Sequence, residues 1–186
     1  MESQPPALLI TGPPASGKST LASAVAARLR AALLDQDVLA GALTAVVGNL
    51  VGTHDLDDPA LAGVTRDARY EAIIATAVDN LRVGTPVVLV APFTSERTDP
   101  GAWHGVRDRL RDAGGLPALV WLRLPADELV RRLRARGAAR DRGKLADTAA
   151  FAGNTALLAP PVVEHIAVDA TAGTEQQVED IFSSLS

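Results

Sequence analysis

Short runs of consecutive apolar residues recur along the chain, and helix-like segments separate them. Continuous apolar runs, rather than strict alternation with polar residues, are typical of strands that are buried on both faces of a parallel sheet. The pattern therefore predicts five strands, at residues 7–11, 32–35, 86–93, 116–124 and 164–170.

The segments between these runs carry apolar residues at helical spacing. The clearest stripes lie within residues 21–29, 70–81 and 174–185, and Gly84 is placed to end the second of them. Strands that alternate with helices indicate a three-layer α/β domain with a mainly parallel sheet.

Composition narrows the class of protein. A length of 186 residues suits a single domain spanning 1–186, and 47% hydrophobic with 22% charged residues is ordinary for a globular protein. The net charge of -4 gives no general attraction to nucleic acid or an anionic membrane, and the lack of cysteine excludes disulfides and thiolate sites. No run approaches the roughly 18 apolar residues of a membrane span, so we expect a cytoplasmic protein without a membrane partner.

The first predicted strand runs into a phosphate-binding motif. Residues 12–19, GPPASGKS, fit the pattern G-x-x-x-x-G-K-[ST], with a strand before them and a helix after them. The backbone amides of such a loop hold an anion, the lysine adds a positive charge at the β/γ-phosphates, and the serine hydroxyl can bind Mg²⁺. The alternative without a binding role is a glycine-rich turn that opens an ordinary helix. The predicted nucleotide-binding residues are Gly12, Ala15, Ser16, Gly17, Lys18, Ser19 and Thr20.

Two aspartates follow the second predicted strand. Asp35 and Asp37 stand at its carboxyl end, where a parallel sheet forms its ligand crevice. One could hold Mg²⁺ and the other could orient a substrate hydroxyl, although either could instead be only a helix N-cap. The third strand ends in Ala91-Pro92-Phe93 without an acid. That absence moves the metal role to Asp35 and favours a kinase over a hydrolase.

An arginine-rich run covers residues 131–144 and holds seven of the eighteen basic residues. It could be a solvated helix face, a nucleic-acid patch or a lid that closes over a triphosphate. Aromatic partners for single-stranded bases are nearly absent nearby, which argues against nucleic acid. We take residues 125–145 as a candidate lid and Arg136, Arg140 and Arg142 as its phosphate contacts.

These motifs together resemble the small P-loop kinases of the group that includes gluconate kinase, shikimate kinase and chloramphenicol phosphotransferase. The resemblance is closest to AAA-domain kinase-like proteins of unassigned substrate. It is carried by GPPASGKSTLA, LDQD, RYEAIIATAVDNLRVGTPVVLVAPF and RLRARGAARDRGKL, and it extends over nearly the whole chain.

The resemblance implies a P-loop kinase fold, with a five-stranded parallel sheet in the order 2-3-1-4-5 between helices and an arginine-rich lid. It places Ser19 and Asp35 at the metal, Asp37 at the acceptor hydroxyl, and Lys18, Arg136 and Arg140 among the catalytic groups.

The acceptor pocket is the least defined part of the prediction. The chain departs from gluconate and shikimate kinases in residues 48–64 and 92–104, which puts a sugar-acid acceptor in doubt. Residues 48–64, rich in glycine and aspartate, look like a substrate-binding loop. The candidate acceptor-binding residues are Asp37, His54, Arg66, Arg69, Phe93 and Arg97, with Asp55, Tyr70 and Trp103 as weaker ones; each has a structural or solvated alternative.

The sequence therefore predicts an ATP- and Mg²⁺-dependent kinase acting on a hydroxyl of a small molecule such as a sugar, a nucleoside or an antibiotic-like natural product. Two alternatives remain: a nucleotide-binding switch or ATPase module that docks a protein or nucleic-acid partner, and a toxin-like kinase acting on nucleotide sugars. The pattern fixes neither the oligomeric state nor the purine of the donor.

Overall fold

A computed structural model describes residues 4–136 and 155–185. Its five strands form one parallel sheet in the order β2-β3-β1-β4-β5, which confirms the predicted order. The strands are β1 (Pro6–Thr11), β2 (Ala32–Asp35), β3 (Val87–Val90), β4 (Leu116–Arg123) and β5 (Ile166–Asp169).

The helices cover both faces of this sheet. In the described part of the chain they are α1 (Lys18–Leu29), α2 (Gln36–Val51), α3 (Pro59–Arg82), α4 (Thr94–Thr98), α5 (Pro100–Asp112), α6 (Ala126–Arg136), α7 (Thr155–Leu158) and α8 (Thr174–Leu185).

Strand β1 explains why the apolar runs are continuous. Leu8 and Ile10 pack into a cluster with α1, α6 and α8, while Ala7 and Leu9 pack into a second cluster with α3 and α5. Successive side chains of a strand point to opposite faces, so a strand covered on both sides needs apolar residues at every position. The three-layer prediction is confirmed.

The predicted elements differ from the structure mainly at their ends. Strand β3 is four residues long rather than eight, because the chain leaves the sheet after Val90. The expectation of a loop over 48–64 is wrong in extent: α2 continues to Val51 and α3 begins at Pro59. The helices extend into this glycine-rich stretch because Asp58 caps α3 by accepting from the Ala60 amide at 2.8 Å, and a proline is well tolerated at the first helical position.

The strand order creates a topological switch point between the neighbouring strands β1 and β3. The chain runs from β1 outward to β2 on one side and crosses to β4 on the other, so connections leave β1 and β3 in opposite directions. Ligand crevices of open α/β sheets form at the carboxyl ends of strands at such points. Within the residues described, no helix is long and apolar enough to cross a membrane.

Candidate functional site

The loop between β1 and α1 has the backbone shape of an anion cradle. Ala15 (φ 58°) and Gly17 (φ 92°) both adopt left-handed conformations, which turn the chain back toward the start of α1. The N-cap of that helix is Gly17, and no side chain of the described residues caps it, so its first amide groups are placed to bind an anion. The predicted phosphate-binding loop thus has suitable local geometry.

Gly12 is enclosed where the strand turns into this loop. A β-carbon at this position would lie 2.9 Å from Ser16 Oγ and 3.0 Å from Leu122 Cβ. We expect Gly12→Ala to lower the free energy of unfolding by about 1–3 kcal/mol, since an added methyl group in a packed site forces its neighbours to move. Gly41→Ala in α2 is the matched control, because nothing lies within 4 Å of its added carbon. Chemical denaturation of both variants tests this, and equal effects would contradict it.

Lys18 folds over the mouth of the loop. Its Nζ donates to Gly12 O at 3.0 Å and to Pro13 O at 2.8 Å, which holds the ammonium group beside the cradle. Both of these acceptors are neutral carbonyl oxygens, so neither carries the negative charge that an anionic ligand would bring.

Asp35 ties the phosphate-binding loop to the end of β2. Its Oδ2 accepts a hydrogen bond from Ser19 Oγ at 3.0 Å, and its Oδ1 accepts from the Asp37 amide at 2.9 Å. Asp35 is therefore the N-cap of α2, and it also lies against the helix that follows the loop. A hydroxyl and a carboxylate in contact are oxygen ligands of the kind that Mg²⁺ prefers, so this pair fits the predicted metal role.

Asp37 is held from the side by α3. Its Oδ1 accepts from Arg69 Nη2 at 2.7 Å, with the Asp37 side chain 54% exposed and the Arg69 side chain 15% exposed. The carboxylate is thus fixed in direction while much of its surface stays open to the crevice. The structure brings together four predicted site residues: Lys18 and Ser19 on the loop side, Asp35 and Asp37 on the β2 side.

Several buried polar atoms lack a hydrogen-bond partner within the described residues, and they lie on segments that follow the strands or on the helix that holds Asp37. Among the described residues, buried side-chain atoms without a hydrogen-bond partner occur on four residues. One follows β1, one follows β2, one follows β3, and one is the arginine that holds Asp37. They are Ser16 Oγ, Gln36 Nε2, Glu96 Oε2 and Arg69 Nε. Buried polar groups are nearly always paired, so these atoms indicate places where a ligand supplies the partners.

Several predicted acceptor residues line the neighbouring segment. Phe93 is fully buried with a left-handed backbone (φ 41°), and Tyr70 packs edge-on against its ring at 6.0 Å between centroids. Burial, reinforced by the charge of Glu96, raises the pKa of Tyr70 to about 12, so its hydroxyl stays protonated. Arg66 is exposed on α3, one helical turn before Tyr70.

Two other predicted acceptor residues lie on segments other than the strand end that carries Asp37. Arg97 is buried, donates to Ala159 O at 3.0 Å and lies over the Trp121 ring at 5.1 Å. His54 is exposed just beyond the carboxyl end of α2. Its ring lies next to Gly48, and eleven residues of α2, about 16 Å of helix, separate Gly48 from Asp37. Their acceptor roles remain predictions, as do those of Asp55 and the buried Trp103.

The helix of the candidate lid contributes a contact that the sequence did not predict. Arg132 Nη2 donates to Ala170 O at 2.9 Å and its Nη1 lies 3.5 Å from Ser16 O, so it joins the phosphate-binding loop to the segment after β5. Arg131 and Arg132 lower the pKa of Glu128 to about 2 through hydrogen bonds, which keeps this carboxylate charged. Arg136 is the last residue of α6, and the predicted phosphate contacts Arg140 and Arg142 lie outside the described residues.

Sequence reasoning missed three residues of this edge. The sequence predicts Arg132 only as one member of the arginine-rich run, and it assigns no site role to Gln36 or Glu96. Nothing in the polar stretch TSERTD marks its glutamate as buried. Only the β2–β3–β1 arrangement could have identified Gln36 and Glu96 as edge residues, because both follow strands whose ends meet there.

Comparison with solved structures gives the fold of known kinases. The chain is 20% identical to the Mycobacterium tuberculosis APS kinase in complex with AMPPNP and APS, covering 98% of both chains with a TM-score of 0.63. It is 20% identical to a gluconokinase from Sinorhizobium meliloti 1021 (99% of this chain, 93% of the other, TM-score 0.61). It is 18% identical to the Deinococcus radiodurans tunicamycin resistance protein (98% and 96%, TM-score 0.59). At these identities the likeness concerns the fold, and a comparison with curated proteins gives no match.

A family profile covers most of the chain. The profile described as AAA domain matches residues 8–161, from β1 to just beyond α7. The matched range contains the phosphate-binding loop, both aspartates and the α3–α4 segment. The resemblance drawn from the motifs is thereby confirmed: this chain, with its P-loop kinase fold, belongs to the AAA domain family.

Proposed function

We propose that this protein is an ATP- and Mg²⁺-dependent kinase that transfers the γ-phosphate to a hydroxyl of a small molecule. The observation that carries the proposal is the contact between Ser19 Oγ and Asp35 Oδ2. It connects the phosphate-binding loop to the strand end that presents Asp37, so a phosphate site and an acid share one crevice. The kinases named in the comparisons support it through their fold.

The loop and Lys18 are the donor half of the proposed site. The amides at the start of α1 and the Lys18 ammonium bind the phosphates of the nucleotide. Lys18 exchanges its present carbonyl partners for phosphate oxygens, and its charge then stabilises the negative charge that develops on the transferred group. Bound at Ser19 and Asp35, Mg²⁺ would supply positive charge that neutralises the phosphate oxygens.

Asp37 and Arg69 are the acceptor half. Asp37 accepts a hydrogen bond from the attacking hydroxyl, and Arg69 fixes the direction of the carboxylate. The acceptor oxygen forms a bond to the γ-phosphorus while the bond from that phosphorus to the β–γ bridging oxygen breaks, so ADP leaves. The hydroxyl proton passes to Asp37 and from its exposed side to water. Positioning outweighs early proton removal because the transition state of phosphoryl transfer is loose.

A screen of acceptors tests this proposal. Sugars, polyols, nucleosides and hydroxylated antibiotics are added to the protein with ATP and Mg²⁺, and ADP release is followed by a coupled assay. We expect at least one acceptor to raise ADP release at least tenfold above the rate with water alone. Nucleotide binding without any stimulating acceptor, together with affinity for a macromolecule that changes with nucleotide, would favour the switch alternative instead.

A further inference from the structure

The segment after β3 carries a buried carboxylate against α3, the helix whose Arg69 holds Asp37. After Val90 the chain turns sharply at Phe93, a fully buried residue with a left-handed backbone, and enters the short helix α4. A non-glycine residue in this conformation costs energy and persists only where its surroundings enforce it. The turn directs Glu96 inward, so that only 8% of its surface is exposed.

The carboxyl group of Glu96 is incompletely satisfied. Among the described residues, no donor reaches its Oε2, and burial raises its pKa above the ordinary value. The positive charge of Arg66 on α3 partly offsets this rise in the pKa of Glu96. The charge of Glu96 in turn raises the pKa of Tyr70 on the same helix. A buried carboxylate oxygen without a donor is costly, and it is rarely retained in a folded protein without a function.

Arg69, which holds Asp37, has a buried donor without an acceptor among the described residues. Its Nη2 is used by Asp37, but its Nε–H is buried and reaches no acceptor among the described residues. Arg69 directly precedes Tyr70 on α3; the Tyr70 ring contacts Phe93, and the charge of Glu96 acts on Tyr70. Helix α3 therefore contacts both Asp37 and the segment of Glu96, and within the described residues Arg69 Nε lacks an acceptor while Glu96 Oε2 lacks a donor.

The chemistry of these two unsatisfied atoms restricts which ligand groups can pair with them. A hydroxyl group both donates and accepts, so neighbouring hydroxyls of one molecule can satisfy Glu96 Oε2 and Arg69 Nε together. A carboxylate only accepts and would be repelled by Glu96. An ammonium group only donates and would leave the arginine unpaired.

We propose that Glu96 and Arg69 form a subsite for the non-reacting hydroxyl groups of the acceptor, so that the acceptor is a neutral polyol or sugar rather than a sugar acid. This inference rests on the proposed kinase function and specifies its substrate class. Glu96 determines specificity: it selects hydroxyl groups and excludes carboxylates, while Asp37 orients the hydroxyl that reacts.

Three six-carbon probes that differ in one terminal group test the subsite: sorbitol, gluconate and glucamine. ADP release and binding to the AMPPNP- and Mg²⁺-loaded protein are measured for wild type and Glu96→Gln. We expect wild type to favour sorbitol over gluconate and over glucamine by at least tenfold in kcat/KM. In Glu96→Gln the preference over gluconate should fall to threefold or less, because an amide can donate to a carboxylate.

Glu71→Gln is the matched control, because Glu71 is an exposed carboxylate on α3 whose two oxygens accept from Arg109 at 2.7 and 2.8 Å. It should leave the ranking of the probes unchanged. Thermal unfolding separates a specificity role from a structural one. Glu96→Gln should keep or raise Tm, because it removes a carboxylate whose charged form is disfavoured by burial. A fall of several degrees would show that Glu96 is a structural partner of Arg66 and would overturn the proposal.

The probes also separate this inference from the proposed function. Equal or better use of gluconate by wild type, an unchanged ranking in Glu96→Gln, or no response to any of the three probes overturns the Glu96 assignment. If another acceptor in the screen still raises ADP release in an Asp37-dependent manner, the kinase function stands without it. If no acceptor at all does so, the kinase function itself fails.

Discussion

Replacing Lys18 with alanine is expected to weaken nucleotide binding by about 10- to 100-fold and to lower turnover by about 10²- to 10³-fold. The ammonium group lies at the mouth of the loop on two carbonyl partners, so the variant loses a positive charge that is already positioned for phosphate. The first effect reflects hydrogen bonds to a charged ligand, worth about 1.5–3 kcal/mol. The larger effect on turnover reflects charge that develops only in the transition state.

Lys18→Arg is the informative companion to this variant. Arginine keeps the charge but replaces a compact ammonium with a wide planar fork, which fits a tight loop poorly. We expect it to recover part of the nucleotide affinity and little of the turnover. Calorimetric titration with AMPPNP and Mg²⁺ and a single-turnover assay with ATP measure the two effects. Wild-type affinity in Lys18→Ala would remove the phosphate-binding role of this loop.

Asp37→Asn is expected to lower phosphoryl transfer to the acceptor by about 10²- to 10⁴-fold while nucleotide affinity changes less than about threefold. An asparagine can still accept a hydrogen bond from Arg69, so the local contact survives, but it cannot take a proton from the acceptor hydroxyl. The two effects separate because Asp37 lies on the β2 side of the crevice and Lys18 on the loop side.

The control for this variant is Asp79→Asn on α3, where an exposed aspartate pairs only weakly with Arg82 at 3.4 Å. We expect no change in either measurement for that variant. Transfer to the acceptor found in the screen is followed by ADP release, and AMPPNP titration gives the nucleotide affinity. Wild-type transfer rates in Asp37→Asn would show that this acid does not orient the acceptor.

The local shape of the predicted phosphate-binding loop could be anticipated from the sequence. Each residue of GPPASGKS lies within one local segment, and its backbone conformation depends mainly on neighbours along the chain. For Asp35, the sequence left a helix N-cap open as an alternative and the resemblance placed it with Ser19 at a metal; the structure shows the N-cap contact and the hydrogen bond from Ser19. The two roles coexist because each carboxylate oxygen serves a different donor.

The candidate acceptor residues come from distant segments, so no local pattern specifies how they meet, and their roles stay predictions. His54 and Arg97 carry suitable chemistry, but tertiary contacts decide their surroundings. His54 follows the carboxyl end of the 16-residue helix α2, whereas Asp37 lies at its amino end. The Arg97 guanidinium packs over the Trp121 ring. Glu96 has no local signal, since burial of a carboxylate in a polar stretch depends on the turn at Phe93 and on α3 above it.

By itself, the sequence determined the three-layer architecture, the phosphate-binding loop and the aspartates that follow β2. Those features arise from periodicity and from hydrogen bonds between residues close in the chain, which the order of side chains encodes directly. The tertiary structure alone decided that Arg69 holds Asp37, that Arg132 joins the loop to the end of β5, and that Glu96 is buried with one oxygen that no described residue reaches as a donor. These contacts depend on how the ends of separate strands and helices meet in space, and no local pattern in the chain specifies that meeting.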